Sequence, residues 1–192
     1  MDQDACMAGL SPLLVALHEA HHAGFATYQD YPPEIVAEHE RAPAACVDDH
    51  VMHEVRARLE DMDGVNFINV RGLWVLNYQD RFVLRVAKKL DADGRHRNYP
   101  TQQQQDFDDQ LPLPGLPDAA IRLTCGYEPD PSLTSLNRVI VARPMGQGTE
   151  WAAAVNIEDD TAVWEDITPI RRFEGMEPAR EEDRGRGRDG RK

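Results

Sequence analysis

Val65-Asn66-Phe67-Ile68-Asn69-Val70-Arg71-Gly72-Leu73-Trp74-Val75-Leu76 decides the fold. Both halves are rich in β-branched and aromatic residues, and Arg71-Gly72 between them is a tight-turn signal. The stretch therefore predicts a β-hairpin. Asn77-Tyr78-Gln79-Asp80 turns the chain again, and residues 81–90 alternate as a third strand. In that strand Phe82, Leu84 and Val86 share one face, and Arg81, Val83, Arg85, Ala87 and Lys89 the other.

Downstream, Asp91-Ala92-Asp93-Gly94 closes the array. Thr101 with Gln104 has the spacing of a helix cap, so residues 101–110 predict a short helix. Residues 111–117, Leu-Pro-Leu-Pro-Gly-Leu-Pro, form a proline-rich connector whose three leucines call for packing rather than freedom. Three further strands are expected at 120–127, 138–143 and 150–157, with Gly146-Gln147-Gly148 as the loop before the last.

Upstream the periodicity is helical. Leu10, Leu13, Leu14, Leu17, Gly24 and Tyr28 recur along 10–29, with Ser11-Pro12 as a cap and first-turn proline. A second helical stretch is expected at 33–41. A third is expected at 45–62, where Val47, Val51, Val55 and Leu59 are four apart.

These expectations compose an α+β fold. N-terminal helices (segment 1–64) pack on a mostly antiparallel sheet of about six strands (segment 65–160), which carries one short inserted helix. Residues 161–192 are read as a charged, mostly disordered tail, because 174–192 hold almost no apolar side chain to offset the entropy of ordering.

The chain has 192 residues and a net charge of −13, a balance that repels nucleic acid and argues against it as a partner. Cys6, Cys46 and Cys125 are scattered and odd in number, which fits reduced thiols and a cytoplasmic setting. No apolar stretch approaches the ~18 residues of a membrane span. Neither a P-loop, a dinucleotide fingerprint nor a Gly-x-Ser-x-Gly elbow occurs.

Two features remain as functional candidates. His18-Glu19-Ala20-His21-His22 fits His-Glu-x-x-His, in which two imidazoles one helical turn apart share zinc and the glutamate takes a proton from metal-bound water. An antiparallel helix could bring His50 and Glu54 opposite His18 and His22 as further ligands, with Glu19 as the catalytic base. Against this, no strand precedes the motif to line a substrate cleft, and His21 occupies a position that zinc peptidases keep uncharged. The second feature is charge asymmetry. Residues 1–63 carry 13 Asp/Glu against three Arg, whereas 81–97 carry six Lys/Arg against two Asp. Arg81, Arg85, Lys88 and Lys89 are thus the candidate partner-binding cations.

The favoured reading is a small acidic interaction protein, of adaptor or inhibitor type. It binds a protein partner, with no cofactor, no membrane association and no chemistry of its own. The alternative is a zinc-dependent hydrolase built on His18, Glu19 and His22.

Overall fold

Asp2 starts the first helix, α1 (Gln3–Gln29), by accepting the Ala5 N–H at 2.8 Å. The computed structural model describes residues 2–32, 42–96 and 101–169. The helix begins well before the Ser11-Pro12 cap expected from sequence and runs straight through Pro12. Proline in a helix interior costs about 3 kcal/mol. Cys6, Met7 and Leu10 extend the buried stripe of Leu13, Leu14 and Leu17, and all six are at most 1% exposed. At about 1.5–3 kcal/mol for each large apolar side chain, that burial outweighs the proline.

The second helix, α2 (Ala42–Leu59), buries Val47, Val51, Val55 and Leu59, the residues spaced four apart in the sequence. It runs antiparallel to α1, since Gly24 lies against Val51, Glu19 near Arg58 and Tyr31 near His50. The helical stretch expected at 33–41 lies outside the described residues.

Seven strands form one sheet in sequential order: β1 (Val65–Val70), β2 (Leu73–Tyr78), β3 (Phe82–Lys89), β4 (Ile121–Pro129), β5 (Leu136–Met145), β6 (Gly148–Glu158) and β7 (Thr161–Asp166). Every neighbouring pair is antiparallel except β3–β4, which is parallel. A parallel pair needs a crossover. Here the crossover carries the short helix α3 (Gln102–Asp108), whose cap is Thr101 as the sequence predicts.

Strand alternation divides the core. Leu76, Leu84, Leu123 and Cys125 join α1 and α2 on one face of the sheet. Val75 and Val83 join Phe107, Leu113 and Leu116 on the other, so the proline-rich connector is packed, as expected from its leucines.

The seventh strand corrects the expectation that the tail begins at 161. Asp159 and Asp160 both take positive φ (48° and 58°) and turn the chain into β7, where Trp164 packs against the main core. The strand escaped notice because it is short, only half-buried and flanked by acids. Residues 170–192, including most of the expected tail, lie outside the described residues. No described helix is long and apolar enough to cross a membrane.

One irregularity matters for function. β2 and β3 pair only through Leu76↔Leu84, Asn77↔Val83 and Tyr78↔Phe82. Beyond that point residues 73–75 continue with β1, while 85–89 continue with β4. β3 also bulges between Arg85 and Lys88, with Ala87 at φ 64°. The two strands therefore part, and the sheet opens.

Candidate functional site

The opening between β2 and β3 is a cleft of about 820 Å³. One wall is α2, with Asp48, Asp49 and, in its last turn, Arg56. The β1–β2 turn supplies Arg71, β2 supplies Trp74, β3 supplies Arg85 and Lys88, and the start of α3 closes the far side. Among the described lining residues, four cations (Arg56, Arg71, Arg85, Lys88) thus face two carboxylates, in a chain whose net charge is −13.

Arg85 is the unusual member. It comes from β3 and is only 4% exposed. Its guanidinium lies over the Phe107 ring at 5.6 Å, and Nη1 is 3.5 Å from Asp108 Oδ1. That separation is an ion pair but too long for a good hydrogen bond. Among the described residues Nε and Nη1 have no hydrogen-bond partner. Burial pulls the guanidinium pKa down, and Asp108, then Asp48, pull it back up. Asp108 is held from behind, its Oδ2 lying 3.0 Å from His96 Nε2. Such a buried, incompletely paired cation is costly to keep and stands to gain from an anion.

The rim is better paired. Lys88 Nζ donates to Asp48 Oδ2 at 2.7 Å. Burial raises the Asp48 pKa, and Lys88 opposes that. Arg56 lies over two rings, 4.4 Å from the Trp74 centroid and 4.9 Å from Phe67. Trp74 is nevertheless 45% exposed. Thr101, the one hydroxyl residue among the described lining residues, uses Oγ1 to accept the Gln104 N–H as a helix cap. The arrangement is equipped to hold an anion and an apolar group. Among the described lining residues no nucleophile stands with its base.

The cationic row expected along β3 is not assembled as simple alternation requires. Arg81 is exposed and lies over Phe82, Arg85 is buried toward α3, Lys88 is tied to α2, and Lys89 is exposed. The bulge at Ala87 shifts the alternation beyond Arg85, so Lys88 lines the cleft with Arg85, while Arg81 and Lys89 do not. Sequence reasoning missed Arg56, Arg71, Asp108 and His96. The residues come from α2, a turn, a strand and a crossover, and no spacing in the chain links them.

The His-Glu-x-x-His helix has a different character. His18 and His22 stack at 4.4 Å between ring centroids. Burial lowers both pKa values, and for His18 the neighbouring His22 adds to this. Glu19 lies 3.7 Å from Arg58, which also binds Glu54, while His50 Nε2 is 2.7 Å from the Tyr31 hydroxyl. The remaining expected ligands are thus engaged elsewhere. Among the described residues no three His, Cys, Asp or Glu side chains gather closely enough to hold a metal ion.

Comparison with protein families, with curated proteins and with solved structures finds no match to this chain.

Proposed function

We propose that this protein is an interaction module without chemistry of its own, and that it takes hold of a protein partner at the cleft between β2 and β3. The observation that carries this reading is the contrast of charge: four cations against two carboxylates around one opening in a strongly acidic molecule. A local excess of positive charge steers an acidic partner to it, against the repulsion that a net charge of −13 sets up elsewhere. Trp74 supports the same reading. An exposed tryptophan braced by arginine is the residue chemistry that dominates binding at protein interfaces.

The test uses a photo-crosslinking amino acid in the cells that make the protein, placed at Leu73 beside the cleft or at Glu158 on the distant β6. The expected result is one partner captured from position 73, none from 158, and loss of that capture on Arg71→Glu. Equal capture from both positions, or capture indifferent to Arg71→Glu, removes the cleft from the interaction.

A further inference from the structure

The buried guanidinium of Arg85 has no evident structural need for its position. A leucine there would pack against Phe107 at lower cost, since removing charges from an interior is often neutral or stabilising. Arg85 nevertheless lies at the cleft, 96% buried, with two nitrogens unpartnered among the described residues. The described carboxylate paired with it, Asp108, stands back at 3.5 Å and is turned to His96 through its other oxygen.

We infer that Arg85 is the receptor for a single carboxylate, the side chain of an aspartate or glutamate on an extended segment of the partner protein. Guanidinium is planar and matches a carboxylate with two parallel N–H donors, which lysine cannot do. One deeply buried cation suits one such group. A polyphosphate would call for several cations at the same depth, yet Lys88 is already neutralised by Asp48 and Arg56 is stacked on Trp74. The net charge of −13 adds further cost for a polyanion, whereas a single charge enters within a Debye length of the cleft cations. The residues flanking the acidic side chain lie along Trp74.

Asp108 then has a defined role as a positioning residue. It keeps the guanidinium in place and competes weakly for it. This inference rests on the cleft being the docking site.

The experiment follows the Nε–H resonance of Arg85 in the full-length protein by NMR. The resonance is assigned by its loss in Arg85→Lys. The probes are two terminally blocked peptides of glycine and leucine that differ only in one central Glu or Gln, with free succinate as a third. The Glu peptide is expected to shift the resonance and to bind at least about tenfold more tightly than the Gln peptide, as for a truncated partner of a hydrogen-bonded charge pair. Arg85→Lys should lose that preference while keeping the amide spectrum of the fold.

Asp108→Asn separates this role from a purely structural one. With the competing charge removed, the Glu peptide should bind more tightly. A merely structural ion pair predicts lower stability and no gain in affinity. Equal binding of the Glu and Gln peptides, or Asp108→Asn without tighter binding, overturns the inference. So does succinate binding as tightly as the Glu peptide, because the site would then serve a free dicarboxylate. A Glu-specific shift at Arg85 with no capture from position 73 upholds the carboxylate site and removes the docking reading. Capture without Glu preference does the reverse.

Discussion

Gly24 of α1 lies directly against the backbone of Val51 in α2: a Cβ on Gly24 would come within 2.6 Å of the Val51 nitrogen. The two helices thus touch at a point where only glycine fits, and two of the three nearest obstructing atoms, the Val51 nitrogen and Cα, belong to the backbone.

Gly24→Ala is therefore expected to destabilise the protein. Alanine gains up to about 1 kcal/mol of helix propensity over glycine. Overpacking costs about 1–3 kcal/mol and belongs at the upper end here, because a helix backbone cannot step aside as a side chain can. A net loss of about 2 kcal/mol in denaturant unfolding is expected. An unchanged or increased stability would contradict the close approach.

Acid should weaken the fold through His21. This imidazole is fully buried, its Nδ1 donating to the Leu17 carbonyl at 2.7 Å, and burial lowers its pKa to about 4. An unfolded chain takes up the proton near 6.5. The unfolded state therefore binds more protons between these values, so stability is full above pH 6.5 and falls as pH drops toward 4. The total is about 3 kcal/mol at 1.36 kcal/mol per unit. His18 and His22 shift in the same direction. His21→Leu should flatten most of the slope in a pH series of unfolding curves, and a slope unaltered by this substitution would assign it elsewhere.

The β6–β7 turn offers a stabilising change. Asp159 and Asp160 both hold positive φ, the conformation of a two-residue hairpin turn that favours glycine at its second position. Asp160→Gly should raise stability by about 0.5–1 kcal/mol, read as a higher denaturant midpoint. A lower midpoint would show that the carboxylate, not the backbone, matters there.

Thiol reactivity should single out Cys46. Cys6 and Cys125 are completely buried, and burial pushes the Cys125 pKa up to about 12. Burial raises that of Cys6 as well. Cys46 is partly exposed. In native buffer one equivalent of a disulfide reagent should react quickly and the remaining two only on unfolding; Cys46→Ser should abolish the fast phase.

The two functional readings separate at His18 and His22. Replacing both with alanine should leave capture at position 73 unchanged, because neither lines the cleft. Stoichiometric zinc retained by dialysed protein and lost in this double variant would instead favour the hydrolase.

The sequence by itself determined the elements and the faces they bury. Val47, Val51, Val55 and Leu59 mark the inner side of α2, Phe82, Leu84 and Val86 mark one side of β3, and Thr101 marks the start of α3. Each is a local rule with a fixed period or spacing, so it can be read from neighbours along the chain. The start of α1 was misread because Pro12 speaks locally for a boundary, whereas the burial that overrides it depends on the sheet beneath. Strand order, the parallel β3–β4 pair and the seventh strand were decided by which edges met.

The site lies on the tertiary side of that division. Arg85, Lys88 and Lys89 are three nearby cations in the sequence, and alternation alone would set Arg85 and Lys89 on one exposed face. The crossover helix packed over the Val83 face instead buries Arg85 against Phe107 and Asp108, while the bulge at Ala87 breaks the alternation beyond it, so that Lys88 is tied to Asp48 and Lys89 stays outside. Whether a cation is solvated, paired or held beneath a cleft depends on the charges and rings that distant segments bring to it. That juxtaposition has no period, so it is settled only when α2, the β1–β2 turn, β3 and the crossover are packed together.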